Sequence, residues 1–432
     1  MKRAMQLAAA AVLWAHVPAA AQLASQDVPV VTLEQARLRA ISIAPQGVAA
    51  RDQVETAAWE RRAALSNLIT PTITAGTNYT RFSDPFFNFG TGDISSSATS
   101  ATLQASYTVL GGGKFSEVKR ARASFESAAA NETAAEFRIA LAIDRSYYGV
   151  LADRELVRVA ADRLRRAQEQ LEIARVRVLS GAAIATDSLQ LLLEVNRARL
   201  AVLRRDSALV VSRLKLGNGI GLSGPADAAA IDTVALPPLP FSQEQAIAEL
   251  RTRGPELQAA RAAEQRASAS LGIEREAYLP EITVGATMGA YDADFFPSAL
   301  NRSQFAVNVS LPIWNGGQRE LAVARARADR NVARAERDAR ERAAAEEMTA
   351  AFNGYETARA ATELEQVGVA VATENYRVQR ARYREGSTTI LDLLEAQVAL
   401  SEAEAALVQS RYAARLALAQ LEALLGRRVF NP

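Results

Sequence analysis

The sequence contains no cysteine and only one histidine in 432 residues. That histidine, His16, sits in an N-terminal stretch that reads as removable, so the processed chain is expected to hold neither residue type. A disulfide frame, a thiolate or imidazole metal site, a cysteine nucleophile and a histidine-based triad are excluded together. An excess of one charge is missing too. The chain has 50 Lys and Arg against 48 Asp and Glu, and loss of Lys2 and Arg3 with the leader leaves 48 of each. Without a clustered positive surplus, no nucleic-acid partner is expected. No run of 18 apolar residues occurs after the leader, so no transmembrane helix is expected.

The leader itself has three parts. Lys2 and Arg3 precede an apolar run from Leu7 to Val17, and Pro18 is followed by Ala19, Ala20 and Ala21. A charged start, a short apolar centre and small residues at the end describe a secretory signal peptide over residues 1–21, with Gln22 as the new N-terminus. About a dozen apolar residues are too few for the ~20 that a membrane anchor needs.

After the leader, one pattern is written twice. Each copy runs helix, proline, two strand-like stretches, glycine cluster, very long helix, glycine turn and helix. Landmarks pair at an offset of about 204–210 residues: Pro45 with Pro255, Pro71 with Pro280, Gly112 and Gly113 with Gly316 and Gly317, Gly181 with Gly386, Asp187 with Asp392, and Gly217 with Gly426. The expected division is a first repeat over 22–217, a linker or small irregular element over 218–241, a second repeat over 242–426 and a tail over 427–432.

No proline interrupts Lys114 to Ser180 or Gln318 to Glu385, and both runs are rich in Ala, Arg, Glu, Leu and Gln. Each is expected to form one helix on the order of 100 Å long. Such a length needs lateral packing for its stability. Helices near Leu33–Ile69 and Thr186–Leu216 are expected to stack end to end alongside the first long one. Two seams show heptad spacing: Ala160, Leu164, Ala167, Leu171, Ala174 and Val178, and then Leu364, Val367, Val371, Val378 and Ala381. A third, from Leu321 through Ala324, Ala328, Val332, Ala335 and Ala339 to Ala343, has an 11-residue period, which favours a straighter course.

The strand-like stretches, about 71–83, 99–110, 280–291 and 303–313, are almost free of charge. Between Pro71 and Gly113 only Arg81, Asp84 and Asp93 are charged. Segments of about 11 residues match a tilted strand crossing a bilayer. Tyr79, Phe82, Phe86, Phe87 and Phe89 in the first copy, and Tyr291, Phe295, Phe296, Phe305 and Trp314 in the second, cluster as an interfacial girdle does. Four strands cannot close in lipid, where open edges are forbidden, so several chains must complete the sheet. Two chains would give a side-chain-filled barrel of about eight strands, and three would give about twelve strands around a lumen.

With the glycine clusters Gly111–Gly113 and Asn315–Gly317 and the tips VLSGAAIATDSLQ and RYREGSTTILDLLEAQVALSEAEAAL, the chain resembles the bacterial outer-membrane efflux proteins of the TolC family over essentially all of its mature length. The resemblance implies a mainly α-helical fold with a membrane β-barrel portion: a homotrimer whose 12-stranded barrel in the outer-membrane lipid continues into an α-helical periplasmic tunnel. It implies the exit duct of a tripartite efflux or secretion system, joined by a periplasmic adaptor to an inner-membrane pump driven by protons or ATP. No enzymatic activity and no cofactor or metal are expected. The absence of a phosphate-binding GxxxxGKS or GxxxxGKT loop agrees with a duct that has no energy source of its own.

The resemblance also points to residues of the periplasmic constriction. Asp392 and Glu395 fall where the family carries an acidic pair, three residues apart on one helix face. In a trimer the pair implies six carboxylates around the axis. Thr389-x-x-Asp392 is equally a capping box. Asp187 holds the corresponding place in the first copy, with Asp187-x-x-Gln190 open between a cap and a gate partner. Tyr383 matches an aromatic used in closure, and Thr388 stands where some members have an arginine that bonds across the tips, which calls a charged closing link into question. A second class of function stays open at this point, a periplasmic coiled-coil structural or adaptor protein without a pore, although it gives the uncharged hairpins no use.

Overall fold

A computed structural model describes residues 28–88, 92–231, 236–292 and 300–430. The expected leader with His16, the aromatics Phe89, Phe295 and Phe296, and the last two residues of the tail lie outside the described residues. The elements in chain order are β1 (Val30–Val31), α1 (Leu33–Ile43), α2 (Pro45–Ile69), β2 (Thr72–Asn88), β3 (Asp93–Leu110), α3 (Lys114–Leu179), α4 (Ala185–Gly219), β4 (Asp227–Ala228), α5 (Gln243–Arg253), α6 (Pro255–Glu276), β5 (Glu281–Asp292), β6 (Leu300–Ser310), α7 (Gln318–Glu385) and α8 (Ile390–Leu425).

The helix expected near Leu33–Ile69 is two helices. Pro45 has no N–H to donate and forces Ala44 into an extended conformation, φ −61° and ψ 129°, so α1 stops and α2 begins with proline in its first turn. Gly254 and Pro255 divide α5 from α6 in the same way. The two long helices form without a break, as their composition dictates. Gly113 and Gly317 start them in the left-handed region, at φ 70° and 79°, which lets each strand turn sharply into its helix.

Packing gives a single layer. Along α3, α2 and α4 lie on one side and α6 and α8 on the other, and α7 packs on the far side of α6 and α8. Halfway along, β1 and β4 pair in parallel, and the Tyr147 hydroxyl donates to the Ala229 carbonyl at 2.8 Å. Arg37 there donates two bonds, of 2.6 and 2.7 Å, to Asp144, with both side chains buried. Residues of the linker, including Leu222, Ile231, Leu239 and Phe241, cover apolar clusters in this region.

The four long strands form one antiparallel sheet in the order β2-β3-β5-β6. Its register sorts the residues into two unlike faces. One carries Ile73, Ala75, Leu103, Ala105, Val284, Ala286, Met288, Phe305, Val307 and Val309, and the other carries Thr72, Thr74, Ser100, Thr102, Gln104, Thr283, Thr287, Gln304 and Asn308. This is the apolar-out, polar-in alternation of a strand between lipid and water. β2 continues past the expected end near residue 83. Its pairing shifts between Arg81 and Phe86, and Pro85 falls within that irregularity, where its missing N–H breaks no ladder bond.

The seams of α7 differ from their sequence reading. Met348, Tyr355, Tyr376 and Tyr383 are buried at multiples of seven residues. The more apolar stripe faces away from the other described elements: Leu364, Val367 and Val371 are 72%, 62% and 64% exposed. On α4, at the opposite side of the wall, Leu189, Leu193, Leu200, Leu203, Val210 and Leu214 form a second exposed stripe. Among the described residues no helix is long and apolar enough to cross a membrane.

Candidate functional site at the paired helical tips

The α3–α4 and α7–α8 turns lie side by side, joined by a buried cluster of Leu171, Ala174, Leu191, Tyr376, Tyr383, Ile390, Leu393, Ala396 and Leu400. Gly386, at φ 76°, ends α7 and lets the chain reverse into α8.

All five residues singled out in the sequence belong to this end of the molecule, but their bonds differ. Thr389 caps α8: its hydroxyl accepts from the Asp392 N–H at 3.2 Å, and its own N–H donates to Asp392 Oδ2 at 3.0 Å. The Thr388 hydroxyl lies 2.8 Å from the same Oδ2, and Thr389 Oγ1 lies 2.6 Å from it. These bonds from the Thr389 hydroxyl, the Thr388 hydroxyl and the Thr389 backbone hold the Asp392 carboxyl below its ordinary pKa. Thr388 therefore spends its bonding inside its own hairpin. Glu395 is exposed one turn further along α8.

Asp187 is not a cap. The first helical residue of α4 is Ala185, its N-cap is Ile184, and no side chain bonds the helix end. Asp187 instead faces Tyr383 of the other hairpin. Tyr383 is 2% exposed and its hydroxyl makes no close hydrogen bond; burial first, and then the Asp187 charge, raise its pKa.

One contributor escaped the sequence reading. Arg177, in the last turn of α3, donates to the Tyr383 carbonyl and, at 3.2 Å, to the Ala182 carbonyl, and its guanidinium lies 4.8 Å from the centre of the Tyr383 ring. A charged bond across the two tips exists after all, supplied by the first copy of the repeat and not by position 388. The partner is 206 residues away in sequence, and the only local signal is a basic residue close to a helix end. Two glutamines higher up, Gln170 and Gln397, are fully buried. Gln170 donates to the Tyr376 hydroxyl at 3.3 Å, while neither end of the Gln397 amide has a partner within the chain. No group of three or more metal-binding side chains occurs among the described residues.

Comparison with known proteins agrees with this architecture. The chain is 28% identical over 350 residues to the pyoverdine export outer membrane protein OpmQ of Pseudomonas putida, an alignment covering 76% of this chain and 69% of that protein. It is 27% identical over 286 residues to the toluene efflux pump outer membrane protein TtgC of Pseudomonas putida, covering 64% of this chain and 58% of the relative. Solved structures share its fold. The Campylobacter jejuni CmeC outer membrane channel superposes with a TM-score of 0.79 at 17% identity, over 91% of this chain and 85% of that one. The open state of the Neisseria gonorrhoeae MtrE outer membrane channel gives 0.79 at 21%, over 92% and 89%. None of these supports the poreless periplasmic alternative. A family model described as outer membrane efflux protein matches residues 32–222 and 246–427, one match in each copy of the repeat, and the chain belongs to that family and resides in the outer membrane.

Proposed function

We propose that three copies of this chain close into one conduit, a 12-stranded barrel in the outer membrane continuous with a helical cylinder in the periplasm. The conduit serves as the passive exit duct of a tripartite pump and carries out no bond chemistry. A periplasmic adaptor and an inner-membrane pump, proton- or ATP-driven, are its expected partners, as befits a relative of proteins named for export and efflux.

One observation carries the reading: sheet and wall are open at the same two sides. Among the described residues, the first half of the chain leaves the outer edge of β2 and the outer side of α2 and α4 uncovered, and the second half leaves the outer edge of β6 and the outer side of α7 uncovered. A head-to-tail contact that closes a ring satisfies both at once, and it buries the α4 stripe against the α7 stripe of the next copy. Four strands per chain give twelve in a ring of three, which is wide enough for a lumen, whereas eight would be filled by side chains.

At the tips, threefold symmetry brings three copies of Asp392 and Glu395 around the axis as an acidic ring. Asp392 then serves both as helix cap and as ring member, and Asp187 and Tyr383 pair between hairpins. The purified protein in planar lipid bilayers is expected to form cation-preferring channels that multivalent cations block. Asp392→Ala combined with Glu395→Ala should weaken the block and change the conductance; unchanged conductance and block would remove the ring assignment. A protein recovered from the soluble periplasm, forming no channels, would remove the duct.

A further inference from the structure

We propose that the helical wall holds a binding site for a small amphipathic anion, an apolar ring or chain carrying a sulfonate or carboxylate, in the cavity where α8 ends and α6 begins against α3 and α7. The cavity has a volume of about 480 Å³, within the range of small-molecule sites. It lies about 35 residues along α3 from the tips, roughly 50 Å, and its ligand is independent of how many chains close the conduit.

The fold leaves this space because two helices meet there end to end. Gly254 and Pro255 stop α5 and start α6, and α8 ends at Leu425 beside them. The two ends abut, since a Cβ on Gly426 would come 2.8 Å from the Pro255 ring. Small side chains widen the gap. Five alanines line it, among them Ala344 and Ala351 of α7 and Ala423 of α8, and Leu250, Leu257 and Leu424 add apolar surface. Methyl groups give enclosed water few partners, so an apolar ring or chain that takes its place is favoured.

Charge decides which head group fits. The acids of the lining, Glu256 and Glu347, are already answered: both meet Arg340, the second at 3.5 Å. Its bases are not. Arg138 and Arg145 stand seven residues apart on one face of α3, about 10 Å along the helix. Among the described residues Arg138 bonds only the Ala134 carbonyl of its own helix, through Nε at 3.3 Å, and Arg145 has no ion pair or hydrogen bond. The start of α6 adds positive potential, because it begins at Pro255 with no side-chain cap. A guanidinium donates to two oxygens of one carboxylate or sulfonate. The two arginines therefore select an anion over an ammonium of the same shape, while the alanine-lined interior takes the apolar part.

The test uses the full-length protein in lipid nanodiscs, titrated by isothermal calorimetry with naphthalene-2-sulfonate, the signal of empty nanodiscs being subtracted. Saturable binding is expected at one site per chain. The 2-naphthylmethylammonium ion, with the same ring and the opposite charge, should bind at least about tenfold more weakly, the effect of losing hydrogen bonds to a charged group. Arg138→Gln with Arg145→Gln should weaken the sulfonate by a similar factor while leaving the thermal midpoint unmoved, since both side chains are exposed. Ala423→Phe fills the interior and should abolish binding; Ala350→Phe, at an exposed position of the lining, takes its place if that variant does not assemble. No saturable binding to the unaltered protein, equal affinity for the two charges, or binding that survives either the glutamine or the phenylalanine changes overturns the site. Each of those results leaves the conduit intact.

Discussion

Two aspartates occupy the same place in the two copies of the repeat, and they do different work. Asp392 turns back onto Thr388 and Thr389 and completes the cap of α8, whereas Asp187 lies in the first turn of a helix with no side-chain cap and looks across to Tyr383. Neighbouring positions diverge further. Tyr383 corresponds to the half-buried Val178, and the buried Gln397 corresponds to Leu192, which is exposed. Duplication has kept the backbone course of the two tips while their side chains have divided the labour. The second tip seals itself and presents apolar and aromatic groups, and the first supplies the charges, Arg177 and Asp187, that meet them.

Substitutions made at matched positions sharpen or break this contrast. The largest effect is expected at Tyr383. Tyr383→Ala removes a fully buried ring and should lower stability by about 3–5 kcal/mol, while Val178→Ala, on the less buried counterpart, should cost well under half of that in the same thermal dissociation measurement. Equal losses would mean that the two tips bear equally on the cluster. Next comes Gln397→Leu. Replacing an amide that has no partner within the chain with an apolar side chain of similar volume should raise stability by about 1–2 kcal/mol, and the reverse change Leu192→Gln on the exposed first tip should leave the midpoint nearly unmoved.

A smaller difference separates the caps. Thr389→Ala should cost about 1 kcal/mol, and Ile184→Ala, at an N-cap that bonds nothing, should stay within about 0.5 kcal/mol of the unaltered protein. The smallest effect is on pH dependence. Asp392 has a folded pKa below that of the unfolded chain, so its contribution is present above the ordinary carboxylate range and is lost as pH falls through the lowered value. Stability measured against pH should decline on that acid side, and Asp392→Asn should flatten the decline. A curve unchanged by Asp392→Asn would show that the hydroxyl bonds to this carboxylate carry no weight.

Much of the molecule is legible in sequence because its signals are local. Long proline-free runs bounded by Gly113, Gly181, Gly317 and Gly386 delimit α3 and α7, and the Thr389-x-x-Asp392 spacing announces its cap. The heptad of Leu364, Val367 and Val371 is equally plain as a period, but a period does not say which surface covers it. Here no described part of the chain covers it, and the side facing α8 is marked by widely spaced tyrosines that no apolar count would choose. β2 runs past its expected end near residue 83, because the strand absorbs Asp84 and Pro85 in an irregular stretch of its pairing. Arg177 was invisible for a simpler reason: its importance lies in a carbonyl on a helix that forms 206 residues later.

The conduit depends above all on closure of the open sides of sheet and wall by further copies of the same chain. The mass of the detergent-extracted complex, measured by native mass spectrometry or light scattering, tests this most directly. Three protomers is the predicted result, and Val367→Glu with Val371→Glu on the exposed α7 stripe should reduce the complex to single chains. A stable monomer or dimer from the unaltered protein would contradict the conduit.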